Sequence, residues 1–311
     1  MVKSIIRKIN SIFRSKPSES RESQLRLGQS SILSSRAMSN GFKNLWDAEV
    51  KVFSQWGEDG ILDYLVSRLD IHKPKFLEIG AGNFDECNSR FMAENLNVSV
   101  VAVDGRSDLL SNIDASEIKW KSHILGIETW VTPNNINELI SQGRAFMGGI
   151  DVFSLDLDGN DYWILQEADL NNVKVVVVEY NPLLGRTHEV TVPREDSFDR
   201  TSKHESWLYY GASLLAFVGE LKKKGFTFVG TNRVGNNAFF VSSGDARLIP
   251  FHPDPSNPSF YDWRIRESRD SEGNLNFLSG PARYSAMGNM PVLDLRTNKM
   301  TSVAEINTIR K

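Results

Sequence analysis

The chain has 311 residues, 40% of them hydrophobic and 24% charged, which is enough apolar mass for one large core. A formal net charge of -3 argues against nucleic acid as the main partner. The single cysteine, Cys87, excludes an internal disulfide and suits a reducing, cytoplasmic compartment. No run of about 18 apolar residues reads as a membrane span.

The charge is uneven. Residues 1–40 hold eight Lys or Arg against Glu19 and Glu22, a net of +6, so the remainder carries -9. Within that tail, Ile5, Ile6, Ile9, Ile12 and Phe13 recur at helical spacing among Lys3, Arg7, Lys8, Arg14 and Lys16. A basic amphipathic helix over residues 1–16 would suit an anionic membrane surface or a partner protein, giving peripheral membrane contact. Residues 17–40 are Ser-rich and read as a linker.

Regular patterning begins near residue 41. Ile61, Leu62, Leu65 and Leu69 predict a helix after "SQWGEDG". "KFLEIGAG" (75–82) is a strand entering a glycine turn, "NSRFMAENL" (88–96) a helix and "VSVVAVDG" (98–105) a second strand. "KSHILGI" (121–127) is a third strand, and a helix is expected to begin near Pro133. "DVFSLDLDG" (151–159) and "VKVVVVEYN" (173–181) are the fourth and fifth strands, the latter apolar on both faces like a central parallel strand. "ESWLYYGASLLAFVGELKKKG" (205–225) reads as one helix closed by basic residues and Gly225. "FTFVGTN" and "NAFFVSSG" flank the turn signals Asn232, Gly235 and Asn236 and predict an antiparallel hairpin. This alternation specifies an α/β fold with a doubly wound, mostly parallel seven-stranded sheet and a C-terminal antiparallel hairpin. The expected division is a tail (1–40), a Rossmann-like domain (41–244) and an irregular, proline-punctuated extension (245–311).

The first glycine turn, "EIGAGNFDE", has the strand-to-helix context of a cofactor loop. A dinucleotide fingerprint wants a third glycine at position 85, where this chain has Asp85 followed by Glu86. Two carboxylates there would repel a pyrophosphate. They would not repel S-adenosylmethionine, whose sulfonium and ammonium groups are cationic. Gly80 and Gly82 would let the backbone pass close to such a ligand, with Asn83 beside them. Glu78 is expected to receive its amino group. Asp104, ending the second strand just before Gly105, is expected to accept from the ribose. Gln55 is a further candidate contact, although Ser54 and Glu58 beside it also suit a helix start.

With these residues in view, the chain resembles class I S-adenosylmethionine-dependent methyltransferases, and within them the FkbM-type branch. The resemblance covers roughly residues 52 to 244. "FLEIGAG" and "VVAVDG" resemble the first two motifs. "LDLDGNDYWIL" resembles the stretch written Lys/Asp-Ile-Asp-Val-Glu-Gly, with Asp158 in place of the usual Glu and with Asn160, Asp161 and Tyr162 added. "VVVVEYN" resembles the strand that follows. The resemblance implies methyl transfer to a hydroxyl of a sugar, glycan or other small molecule.

In an open α/β sheet, ligands sit beyond the carboxyl ends of the strands, so Asp156, Asp158, Glu179 and Asn181 should gather at one rim. Methyl transfer to oxygen needs an aligned hydroxyl, a proton acceptor and stabilisation of developing charge. Asp158 or Glu179 is a candidate base. Alternatively, Asp158, Glu179 and Asn181 would hold Mg2+ or another divalent cation. A structural reading also stands: Asp158 and Asn160 would cap the helix starting near Asp161. His204 is the histidine best placed as a base. Tyr209 and Tyr210 are candidates for an acceptor wall. Trp56 and Trp163 suit core packing or stacking on a ring, His123 reads as structural, and Cys87 has no partner for nucleophilic work. Two other readings compete with an enzyme of this kind. One is a catalytically inactive binding or assembly protein that keeps the fold and is recruited by its basic N-terminus. The other is an NAD-dependent enzyme, against which Asp85 argues.

Overall fold

A computed structural model describes residues 41–308 together with Gly28. The basic segment 1–16 and its membrane role lie outside the described residues, as does all of the 17–40 linker except Gly28. The apolar runs form the expected strands: β1 (Lys75–Ile79), β2 (Ser99–Asp104), β3 (His123–Glu128), β4 (Val152–Leu155) and β5 (Val175–Glu179). A two-residue strand, β6 (Val190–Thr191), leaves the sheet, and the hairpin β7 (Phe226–Thr231) and β8 (Asn237–Ser242) returns to it. The order is β3-β2-β1-β4-β5-β8-β7. The first five strands run parallel, and β8 runs antiparallel to its neighbours β5 and β7. This is a doubly wound, Rossmann-like sheet.

The period-two alternation of these strands makes two cores. Phe76, Val100, Val152 and Val177 point to one face, and Leu77, Val101, Phe153 and Val176 to the other. The first face is covered by α1 (Glu58–Arg68), α2 (Arg90–Leu96), α3 (Leu109–Ala115) and α4 (Ile118–Lys121). The second is covered by α5 (Ile136–Met147) and α6 (Asp161–Glu167) and, beyond a single-turn helix α7 (Arg200–Lys203), by α8 (Leu214–Lys223). Each fully buried Leu, Ile or Phe contributes on the order of 2 kcal/mol of hydrophobic stabilisation.

Two expectations are corrected. The helix read over 205–225 begins only at Leu214, where Ser213 Oγ accepts the Ala216 N–H at 3.2 Å. Before it, Trp207 and Gly211 have φ of +59° and +63°, and Ala212 bridges to Thr191, so residues 205–213 cross the sheet ends as a loop. The C-terminal extension is also more ordered than its prolines suggested. After α9 (Pro281–Ala286) come the antiparallel strands β9 (Pro291–Asp294) and β10 (Lys299–Ser302), and then α10 (Val303–Thr308). β9 pairs with β6, giving a three-stranded sheet over a third core that includes Leu184, Phe198, Tyr210, Trp263 and Val292. The extension thus builds one wall of the region above the main sheet. Among the described residues, no helix is long and apolar enough to cross a membrane.

The glycine turn after β1 is fixed by a close backbone crossing. Gly80 has φ +88°, and a Cβ there would lie 1.6 Å from the Asp156 carbonyl oxygen. Gly80→Ala is therefore expected to destabilise the fold by roughly 3 kcal/mol or more, measured by urea unfolding. A loss under about 1 kcal/mol would show that the β1–β4 crossing relaxes easily.

Candidate active site

A cleft of ≈ 670 Å³ opens at the carboxyl ends of β1, β2 and β4. Gly80, Gly82, Asp104, Gly105 and Trp130 line one half. Asp156, Asp158, Asn160, Phe198, Arg200 and Trp207 line the other, with Glu267 contributed by the extension. Gln55 and Glu86 stand at the rim.

In the first half, Gly82 donates its N–H to Asp104 Oδ2 at 2.7 Å, and Arg106 N donates to Oδ1 at 2.9 Å. Partial burial raises the Asp104 pKa above its ordinary range against these bonds. Trp130 was not singled out from the sequence. It is 53% exposed, lies over Gly105 and is tethered by its indole N–H to the Asp196 carbonyl at 2.8 Å.

Glu78 does not face the cleft, which corrects its assignment to a ligand's amino group. It is 3% exposed, and its carboxylate accepts the N–H groups of Asn88 at 2.7 Å and Ser89 at 2.9 Å. These are the amides ahead of α2, where a phosphate would otherwise bind. Burial raises its pKa against those bonds. Asn83 also turns away, its side chain bridging to Asp85 at 2.8 Å. Asp85 is paired with Arg90 at 2.9 Å, so of the two acidic residues expected to repel phosphate only Glu86 lines the cleft.

The acidic run after β4 divides in two. Asp161 folds back to accept the N–H groups of Leu157 at 2.7 Å and Gly159 at 2.8 Å, and burial pushes its pKa up to about 6. That pins a turn in which Asp158 has φ +55°. The capping role expected of Asp158 and Asn160 is not filled: Asn160 stands at the N-cap position of α6 without a side-chain bond to the helix amides, and its side chain bonds to the Glu195 backbone instead. Asp156 and Asp158 are left to face the cleft. With Glu179 just beneath, they offer carboxylate oxygens that all lie within 4.8 Å of one another. Glu179 Oε1 accepts from Asn236 Nδ2 at 3.3 Å, and its buried Oε2 receives no donor among the described residues. Burial first, then neighbouring negative charge, holds the pKa of Asp156 and of Glu179 well above the carboxylate range, so the pair readily retains a proton.

Asn181 is corrected as a metal ligand. It is fully buried, its amide donates to the carbonyls of Leu208 and Tyr210 at 2.9 and 3.0 Å, and its Oδ1 accepts from Leu183 N. His204 is likewise not in the cleft; its Nδ1 lies 2.8 Å from Ser206 Oγ and receives Ser206 N. Tyr209 donates to the Pro291 carbonyl, and Tyr210 is a buried platform beneath Arg200, with ring and guanidinium 4.2 Å apart. Arg200, also unanticipated, donates to Asp158 and to the Trp207 carbonyl. Trp163 packs on Tyr162, Trp56 sits 36% exposed under Lys51, and His123 stacks on Phe146. Cys87 is buried, which raises its thiol pKa and leaves it inert.

No family model and no curated protein matches this chain. Among solved structures it is similar to EvdMO1, with 12% identity and a TM-score of 0.36 over 67% of this chain and 45% of that one. It is similar to human N-acetylserotonin methyltransferase in complex with SAM, with 11% identity and a TM-score of 0.33 over 74% and 61% of the two chains. An O-methyltransferase family protein from Burkholderia thailandensis gives 14% identity and a TM-score of 0.32 over 70% and 72%. The chain spans about half the length of EvdMO1.

Removing the Glu78 carboxylate strands two buried amides. Glu78→Ala is expected to cost about 2–4 kcal/mol in urea unfolding while leaving the cleft walls in place. An unchanged midpoint would mean that solvent reaches those amides.

Proposed function

We propose that this protein transfers a methyl group from S-adenosylmethionine to a hydroxyl of a small polyhydroxylated acceptor, in the manner of the FkbM-type branch. The observation that carries the reading is the fate of the amides around the glycine turn. Asn88 and Ser89 give theirs to Glu78, and Gly82 gives its own to Asp104. This strand-turn-helix unit keeps a ligand cleft but spends on its own carboxylates the donors a pyrophosphate would need. A phosphate-free adenosyl ligand with a cationic sulfur suits the acidic wall that remains. Gly80 and Gly82 let it approach, Asp104 accepts from its ribose, and the Trp130 face supports its base.

The acceptor then lies between Phe198, Trp207 and Asp156. As the methyl group leaves sulfur for oxygen, the hydroxyl proton passes to Asp156, the member of the acidic pair that lines the cleft. S-adenosylhomocysteine and a methyl ether result. The Arg200 guanidinium, fixed on Asp158, supplies positive charge at the edge of the reacting centre. We place the protein in a reducing cytoplasm, in keeping with its single buried thiol. The competing reading, a binding protein that has kept the fold, predicts cofactor binding without turnover on any acceptor.

Calorimetry with S-adenosylhomocysteine tests the cofactor, and absence of saturable binding rejects the proposal. Asp104→Ala is expected to weaken that binding about tenfold or more. Asp156→Asn should leave binding within a few-fold and lower turnover roughly a hundredfold or more. Loss of binding in Asp156→Asn with turnover spared in Asp104→Ala would reverse the two assignments.

The pH dependence has a definite sign. Asp156 and Glu179 are both raised, so the pair must lose its shared proton before it accepts another. Turnover is expected to rise with pH along a limb above the ordinary carboxylate range of about 4. Folding stability runs the other way, since a raised folded-state pKa favours the protonated fold and is lost as pH rises. A kcat profile already flat from pH 4 upward would remove the pair from the chemistry.

A further inference from the structure

Three carboxylates from two neighbouring strand ends, with oxygens within 4.8 Å of one another, form a donor set of the kind that holds a hard divalent cation. Left without positive charge, such a group would be costly to bury. In this chain the positive charge is built in. We propose that the Arg200 guanidinium takes the place of a divalent cation at the Asp156–Asp158–Glu179 cluster, so that the site is intrinsically metal-independent and becomes a cation site when the arginine is removed.

The anchoring of Arg200 supports this. Its side chain is only 13% exposed. Nη1 donates to Asp158, Nε donates to the Trp207 carbonyl at 2.5 Å, and Nη2 lies 3.8 Å from Glu267 of the extension. The guanidinium rests on the Tyr210 ring at 4.2 Å. Asp199 caps α7 by accepting Thr201 N at 3.1 Å, which sets the start of the turn carrying Arg200. Four contacts from three separate segments therefore hold the charge at the Asp158 side of the cluster, and swinging it aside would break all of them. A metal ion entering the cluster would lose one Asp158 oxygen to the arginine and would sit beside a fixed positive charge. Arginine suits the role because its planar fork serves carboxylates in two directions and still stacks on an aromatic face. This inference concerns the electrostatics of the cleft and stands whether or not the methyl-transfer reading holds.

Mn2+ is the probe, followed by electron paramagnetic resonance on the cofactor-free, full-length protein. Wild type is expected to leave Mn2+ free at concentrations up to about 1 mM. Arg200→Ala should bind one Mn2+ at least about tenfold more tightly. Adding Asp156→Asn should abolish the gain. If Arg200→Ala fails to fold, Arg200→Met keeps an aliphatic stem over Tyr210 and is read the same way. Tight binding by wild type, no gain in either single variant, or a gain that survives Asp156→Asn would each overturn the proposal. The test requires no turnover, so its outcome is separate from that of the calorimetry on the cofactor.

Discussion

The structure depends most on the placement of one buried charge, the Glu78 carboxylate on the amides of Asn88 and Ser89. Amides at the start of a helix after a glycine turn are the usual seat of an anion. Here the anion is part of the chain. Its burial is costly, but two charge-assisted hydrogen bonds offset the cost and tie β1 to the segment entering α2. Asn88 extends the tie through Ser154 Oγ on β4. The cleft above consequently has glycines for close approach without a phosphate seat. Its ligand selectivity follows from an interaction lying outside its walls.

The same division of labour explains the acidic strand end. Three aspartates in six residues would repel one another if all faced one cavity. Asp161 is spent on the turn and Asp158 is neutralised by Arg200, which leaves Asp156 facing the cleft with Glu179 beneath it. Neighbouring carboxylates in a dry setting share a proton, and so the pair is poised as a proton acceptor above the ordinary carboxylate range.

Much of this was legible in the sequence because it depends on local pattern. The run of β5 is apolar on both faces, and that composition permits little except a central parallel strand, while β1, β2 and β4 are short apolar runs broken by few polar residues. Gly80, Gly82, Asp104 and Asp156 line the cleft, as their positions relative to those strands imply. What could not be read depends on contacts distant along the chain. Nothing in "SFDRTS" marks Arg200 as special, since its partners Asp158 and Glu267 lie 42 residues before and 67 residues after it. Glu78 and Asn181 were correctly placed at strand ends, but strand position does not say which way a side chain finds its partners. The helix misread at 205–213 has the same origin: Leu208, Tyr209 and Tyr210 are all buried against the extension, and three consecutive apolar residues fit a loop under a cover as well as a helix.

The buried polar groups behind the cleft complete the arrangement. Glu58 Oε2 accepts the N–H groups of Trp56 and Gly57, fixing the loop that carries Gln55 to the rim. Its Oε1 accepts from Asn232 at 2.6 Å and Asn237 at 3.0 Å; Asn232 donates to Asn236 at 2.7 Å, and Asn236 donates to Glu179. Asn232 and Asn236 occupy the turn between β7 and β8, Asn237 opens β8, and the Asn232 side chain accepts the amides of Gly235, Asn236 and Asn237. A hairpin turn is thereby made into a rigid connector between the rim of the cleft and the acidic pair at its floor. An antiparallel β8 beside β5 is what makes this possible, because reversal of the chain brings the turn to the same end of the sheet as Glu179. The hairpin at the edge of the sheet thus positions the carboxylate on which the proposed chemistry depends.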